Sequence, residues 1–542
     1  MESEVPEGEG SIGKRATKTL YSLYLGYGLG ALINIVTFIF MAKALGAEGY
    51  GLYVFAMGFL SLLGSMGNFG IGSYLASRLS AYSYKRDAAS IFNSISSGFT
   101  VLITVALLLF AAGALLSGYL SSHVFSGIKV AALTLIIVSA MLPLAMIYST
   151  ATNALIGLSR GKDAGFVVIS VDALQLMLII LLITNGLGVN GALIAIATGY
   201  AAGSAALLFL VLKQARRYGH GSLKIPNRKS LTDVLEFSAP LGAKNALSSG
   251  IQNFGTIFLG IYLASSLGES AAKSALGNYG VALKSLAIIS ILYTTMGAVL
   301  LNVSSAVRTR GKEVGKSYNM AIKYSVMITI PLMVYIGVFA RQIISLFLSS
   351  QYLSSVFYVQ LMAAAVIVSV IGNYINDILV SAGFTRKLLY YYLFSAVIEL
   401  ISLLALVPYL GASGAIIALF MIGGLVNVAF SIRVSRKFIG LRLNYSQLLG
   451  AYASNATLAL GLFAISMAIS HTPLSAGFVY LITLATGAVV LLLLYPALLI
   501  ATRAITRSEL TGVIKMTDGT ALAAPVKFIA RYIDLLGGRN GR

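Results

Sequence analysis

Between Ala239 and Gly255 the sequence reads APLGAKNALSSGIQNFG, and Lys244, Asn245, Ser248, Ser249, Gln252 and Asn253 give it charge and hydrogen-bonding capacity inside a long apolar run. A lysine ammonium meets a phosphate as a point charge. Side-chain amides carry paired donors and acceptors that match sugar hydroxyls. At 100° per residue, Lys244, Asn245, Ser248, Ser249, Gln252, Asn253 and Thr256 fall within an arc of about 180°, with Ala246, Leu247, Ile251, Phe254, Ile257 and Phe258 opposite. A polar stripe turned toward lipid costs several kcal/mol, so this face is expected to line a water-filled cavity or to bond neighbouring helices.

Other polar residues lie within apolar runs. Lys284 is a second candidate phosphate contact, or a side chain reaching for the outer surface. Asn34 occupies the matching place in an internal repeat described below and is a candidate cavity residue. Glu399, Asp377 and Asp172 are acidic residues within predicted spans, where carboxylates commonly mark ion pathways. Glu399 is the most central and Asp377 lies near Arg386 and Lys387, with which it can pair; these two are the candidates for binding a coupling proton or sodium, and Asp172 has the weaker claim. Lys323, near a span end, is expected to snorkel.

These residues must be positioned by a membrane protein. Of 542 residues, 58% are hydrophobic and 10% charged, and mean hydropathy is +0.89. Soluble domains carry about 25% charged residues. Apolar runs of roughly 20 residues, enough to cross a bilayer at 1.5 Å rise per residue, recur along nearly the whole chain and leave no room for a large soluble domain. The start, with Glu2, Glu4, Glu7 and Glu9 before Lys14, Arg15 and Lys18, lacks the pattern of a cleaved secretory signal, so the first span is expected to be retained. The chain has no cysteine, which excludes disulfides, thiolate metal sites and cysteine nucleophiles. His123, His220 and His471 fall in separate loops, so neither a metal nor another cofactor is expected.

The apolar runs number about fourteen. The tails and alternate loops hold about 31 of the 38 lysines and arginines, against about 4 on the other face, namely Lys43, Lys129, Lys273 and Arg341. The basic face is therefore expected to be cytoplasmic, with both termini there and the protein multi-pass in the plasma membrane. The net charge of +21 is thus read as topology and contact with membrane lipids, not as nucleic-acid binding.

An internal duplication is also visible. KALGAEGYGLYVFA from Lys43 parallels SSLGESAAKSALGNYGVALK from Ser265, and NALIGLSRGK from Asn153 parallels NDILVSAGFTRK from Asn376. The offsets, such as Tyr50 to Tyr279 and Arg160 to Arg386, stay near 222 to 230 residues, as a parallel repeat of about six spans requires. The expected architecture is all-α and polytopic, with two pseudo-symmetric lobes of about six helices each around a central cavity and two C-terminal helices. Its segments are a cytoplasmic tail (1–19), an N-lobe (20–212), a basic linker (213–233), a C-lobe (234–432), two further helices (433–500) and a tail (501–542). Within that tail, Ala524 to Leu536 reads as an interfacial amphipathic helix. Paired lobes with a shared crevice are a common build for alternating-access transport, so no enzyme activity is expected.

AKALGAEGYGLYVFA with Asn68-Phe69-Gly70, ALIGLSRGKDAG followed by GLGVNGALIA, and LEFSAPLGAKNALSSG, ILVSAGFTRK and VPYLGASGAIIAL in the second half are similar to polysaccharide biosynthesis proteins. These are the O-antigen-type flippases of the multidrug/oligosaccharidyl-lipid/polysaccharide exporter superfamily, and the resemblance covers nearly all of Leu20 to Ile500. It implies a fourteen-helix V-shaped fold that moves a lipid-linked oligosaccharide from the cytoplasmic to the outer leaflet, with a cavity for the phosphate and sugar headgroup. Lys244, Asn245, Gln252, Asn253, Lys284 and Asn34 are then the expected substrate contacts. The first half carries no basic residue deep in a span, where relatives often place arginines. The competing expectation is a cation-coupled multidrug exporter of the same fold; a lysine-bearing cavity disfavours cationic cargo.

Overall fold

The computed structural model describes the chain except for residues 1–8, 68–69, 220–224, 287–313, 382–383, 442, 471–474 and 506–542. The predicted amphipathic helix in the C-terminal tail and the Asn68-Phe69 pair lie outside the described residues. Among the described residues every regular element is helical and no strand occurs. That is what a bilayer demands of a chain this apolar, because a helix satisfies its backbone N–H and C=O groups within one segment.

In chain order the helices are α1 (Glu9–Gly67), α2 (Ile71–Tyr84), α3 (Ala88–Tyr119), α4 (Ala132–Gly157), α5 (Gly161–Leu182), α6 (Gly188–Ala215), α7 (Arg228–Leu267) and α8 (residues 269–286). They continue with α9 (Val314–Val338), α10 (Ala340–Phe347), α11 (Ser355–Ser381), α12 (Thr385–Ile416), α13 (Gly423–Phe438), α14 (Tyr445–Ser470) and α15 (Ala476–Ala501). A π-helical turn, Ile417–Ile422, joins α12 to α13.

Nine described stretches are long and apolar enough to cross a membrane. One of them, Gly161–Tyr218, has 58 residues, roughly 87 Å if straight against a hydrocarbon core of about 30 Å. It is not straight. Gly186 and Gly188 take φ of 86° and 52°, a left-handed region that most side chains avoid, and α5 and α6 pack on each other. The 51-residue stretch Leu388–Phe438 breaks likewise at Gly411, and α1 at Gly46. The helix carrying Lys244, α7, is not among the nine, since Lys244, Gln252 and Asn253 dilute its apolar content.

The chain forms two compact units. The first contains Ser22–Val281 and Phe384–Gly423. In it α7 packs on the helices that precede it in sequence. Asn93 on α3 donates to Ser230 Oγ at 2.9 Å, the rings of Tyr74 and Phe237 lie 5.6 Å apart, and a Cβ on Gly260 would come within 2.7 Å of the Phe55 ring. Tyr50, Phe55, Leu75, Leu79 and Ile91 are buried in this unit. Near the start of α8, Glu269 bridges Lys129 at 2.7 Å and Lys273 at 2.6 Å. Hydrogen bonding to Lys129 first, then to Lys273, holds its carboxyl below the usual glutamate range.

The second unit holds the described residues within Met1–Tyr21, Ala282–Gly383 and Gly424–Arg542. Its core includes Phe339, Tyr352 and Tyr374. Hydrogen bonds there run from helix to helix: Tyr495 donates to the Met327 carbonyl at 2.9 Å and accepts from Asn455 at 3.1 Å.

Candidate functional site

The polar stripe of α7 begins one turn after Pro240, which removes a backbone donor from the helix. Lys244 is half-buried, and its Nζ lies 5.2 Å from the centroid of the Tyr392 ring on α12. At that distance the ring quadrupole attracts a cation. Asn245 is half-buried and Gln252 exposed. Asn253 donates to the Ser249 carbonyl of its own helix at 2.8 Å. Thr256 is buried against α1, where a Cβ on Gly58 would sit 3.2 Å from its methyl. The stripe therefore divides: Thr256 serves helix packing, while Gln252 stays open.

Beneath Tyr392, α12 carries a second group. Tyr391 and Tyr392 have ring centroids 5.0 Å apart. Tyr391 is buried and shares a side-chain hydrogen bond with Ser395 one turn on. Ser395 donates to Glu399 Oε1 at 2.6 Å. Glu399 is 8% exposed, and a Cβ on Gly423 would come within 2.8 Å of the same oxygen. The carboxylate thus rests on bare backbone where the π-helical turn gives way to α13, and π turns inside α-helices recur at functional positions.

Asn34 enters a different pairing. Its Nδ2 donates to the Gly30 carbonyl at 2.9 Å and to Asp172 Oδ2 on α5 at 3.1 Å. A Cβ on Gly30 would lie 3.0 Å from that same oxygen. The structure therefore joins the proposed sugar contact to a carboxylate from a distant part of the sequence. Sequence reasoning had treated the two separately, and nothing in periodicity pairs them.

Lys284 lies on α8 and belongs to the second unit, whereas Lys244 belongs to the first. Asp377 lies on α11 with its side chain outside the described residues. Lys323 departs from the snorkelling expectation: it is 3% exposed and donates to Gln447 Oε1 on α14 at 3.2 Å. An amide cluster also went unnoticed in the sequence. Asn427 donates to Asn373 and Asn376 donates to Asn427, both at 2.6 Å, while Ser431 donates to Asn376 at 2.7 Å. The Asn-x-x-Asn spacing at Asn373 and Asn376 was its available signal. No cluster of His, Asp and Glu suited to a metal occurs among the described residues.

The profile of the family described as polysaccharide biosynthesis protein matches residues 16–307, more than half of the chain. Among solved structures, an inward-facing multidrug resistance transporter of the MATE family in the MOP superfamily is similar with a TM-score of 0.60 at 18% identity, covering 76% of this chain and 94% of its own. An outward-facing structure of a transporter so described gives 0.56 at 19% identity, covering 79% and 96%. A MOP superfamily transporter from Pyrococcus furiosus, described as having a binding pocket of reverse polarity that suggests a different function, gives 0.58 at 18% identity, covering 79% and 96%. No curated protein matches the chain.

Proposed function

We propose a function on this premise: the chain belongs to the polysaccharide biosynthesis protein family, and its fold is that of MOP superfamily transporters. It is a flippase that carries a polyprenyl phosphate- or pyrophosphate-linked oligosaccharide from the cytoplasmic to the outer leaflet by alternating access, for cell-surface polysaccharide or glycoprotein synthesis. Both termini are cytoplasmic, and membrane lipids and the glycolipid are its partners. The observation that carries this reading is Lys244, a cation within a predicted span, seated on the Tyr392 ring in the most polar of the long helices. Intramembrane cations are costly and mark sites for anions or counter-charges. A phosphate displaces the ring as the ammonium's partner, and Asn245, Gln252 and Asn253 on the same face meet sugar hydroxyls. Lys284 and Asn34 supply further polar contacts. Glu399 and Asp377 are the candidates for H+ or Na+ coupling.

A second reading, a cation-coupled multidrug exporter, is favoured by the described similarity to multidrug transporters. Pocket polarity separates the two, and it is the property by which the Pyrococcus relative is described. Deleting the gene and probing lipid-linked sugars with a membrane-impermeant glycosidase decides between them. The flippase reading expects a complete oligosaccharide-lipid to accumulate on the cytoplasmic side, rescued by wild type and not by Lys244→Ala. Unchanged glycolipids with new sensitivity to toxic cations would establish the exporter instead.

A further inference from the structure

The two groups assigned above to cargo and to coupling ion are joined by a run of contacts within one compact unit. Lys244 sits on Tyr392, the Tyr392 ring lies tilted beside that of Tyr391, Tyr391 hydrogen-bonds Ser395, and Ser395 donates to Glu399. Positions 391, 395 and 399 are spaced i, i+4, i+8, and 392 stands three residues before 395, so one face of α12 carries the whole run. From Tyr392 to Glu399 is about 10 Å along the helix axis. α13 presents Gly423 to Glu399, and Gly255 of α7 packs on Leu403 and Leu419. Among the described residues the titratable side chains named along the path are Lys244, Tyr392, Tyr391 and Glu399.

We propose that Tyr392, Tyr391 and Ser395 form a relay that couples a phosphate at Lys244 to a cation at Glu399, so that loading either end changes affinity at the other. The inference rests on the flippase reading for the identity of the anion. Its sign follows from charge. While Glu399 is ionised, Ser395 is committed to it as donor, Tyr391 is committed to Ser395, and the carboxylate offsets part of the field of Lys244. Neutralising Glu399 by a proton or sodium ion frees that donor chain and leaves the lysine's charge to the phosphate. Thermodynamic linkage makes the effect reciprocal: a bound phosphate must raise the cation affinity of Glu399 by the same factor. Tyr392 becomes a positioning residue, since it holds the ammonium in place until the phosphate takes it.

The test uses the full-length protein in nanodiscs with farnesyl diphosphate as probe, and compares variants at one neutral pH. Glu399→Gln mimics the neutral carboxyl and is expected to tighten probe binding by a factor in the usual coupling range of about 5 to 150. Ser395→Ala alone is expected to change binding little, and in combination it should erase most of the Glu399→Gln effect. If the effect persists undiminished in Ser395→Ala, charge acts through space and the relay is overturned; no effect of Glu399→Gln also overturns it. Because the chain has no tryptophan, Tyr392→Trp supplies a single, selectively excited tryptophan for a probe-free check. Its emission should shift on Glu399→Gln and revert when Ser395→Ala is added, and an unmoved spectrum counts against the relay. Failure of the flippase reading looks different: Lys244→Gln would then leave probe binding unchanged, whatever α12 does.

Discussion

Asp172 and Glu399 are both carboxylates within apolar helices, and they are held in opposite ways. Asp172 accepts from Asn34, 138 residues away in sequence and on another helix. Glu399 accepts from Ser395, one turn back on its own helix. The first contact ties α5 to α1. The second, among the described residues, commits no polar group of a neighbouring helix, and a glycine faces it. A carboxylate locked across helices behaves as a structural tie, whereas one satisfied locally beside bare backbone can change its charge state or partner without parting two helices. The contrast supports the proposal that Glu399, not Asp172, is the carboxylate that couples an ion, with Asp172 expected to serve cohesion.

The largest test of that assignment is a pair of isosteric amides. Glu399→Gln is expected to slow glycolipid translocation by more than about tenfold while leaving the unfolding midpoint near wild type. Asp172→Asn should keep most of the transport and lower the midpoint, because Asn34 loses its charged acceptor. Flux assays in reconstituted vesicles alongside thermal unfolding would falsify the comparison if the two variants exchanged phenotypes.

A methyl group at Gly423 probes the same carboxylate from the other side. Gly423→Ala places a Cβ within 2.8 Å of Glu399 Oε1, so the glutamate side chain must give way, or α12 and the π turn must shift, at a cost of up to about 1 to 3 kcal/mol. Shortening the glutamate should relieve that strain: Gly423→Ala with Glu399→Ala is expected to be more stable than Gly423→Ala alone. Strict additivity of the two changes in denaturation measurements would mean that the glycine and the carboxylate do not press on each other.

Asn34→Ala is a smaller perturbation. Interhelical hydrogen bonds in membranes average about 0.6 kcal/mol and reach about 1.7, and that range is the expected loss. The loss should disappear in an Asp172→Ala background if the pair is the whole interaction, a result a double-mutant cycle reads directly. A full-sized effect of Asn34→Ala in that background would mean that the amide stabilises the fold through a group other than Asp172.

These contrasts also mark what the sequence could reveal. The all-α membrane fold was legible because hydropathy and length reflect the bilayer, a solvent that acts on every segment alike. The stripe of α7 was legible because Lys244, Ser248 and Gln252 repeat at helical spacing, and Glu399 stood out as a charge deep in an apolar run. Their partners were not. Periodicity tells which face of a helix is polar, but Tyr392 meets Lys244 from 148 positions away, and only packing brings Gly423 to Glu399. Repeat symmetry set Asn34 beside the polar part of α7, but it carries no sign of Asp172, the carboxylate that the structure brings to its amide. Lys323 fails for a related reason. Proximity to a helix end suggested the interface, and Gln447 of a helix 124 residues away takes the ammonium instead.

Glu269 sharpens the comparison from outside the spans. It has two lysine partners, more opposite charge than is shown at Asp172 or Glu399, and if counting charges decided importance it would matter most. It lies outside the predicted spans and is partly exposed, where ion pairs are screened and contribute little. Its carboxyl is held below the ordinary value of 4.5, by Lys129 first and then Lys273. A depressed carboxylate pKa contributes stability that is fully present above the unfolded value and is lost as pH falls through the folded one. Glu269→Gln should therefore lower the unfolding midpoint slightly at neutral pH, and the difference from wild type should close as pH falls below about 4. The deficit should also shrink in high salt, which separates it from the buried carboxylates, whose effects are screened much less. A Glu269→Gln deficit larger than that of Asp172→Asn would mean that charge pairing at the helix ends, not the tie between α1 and α5, holds the first unit together.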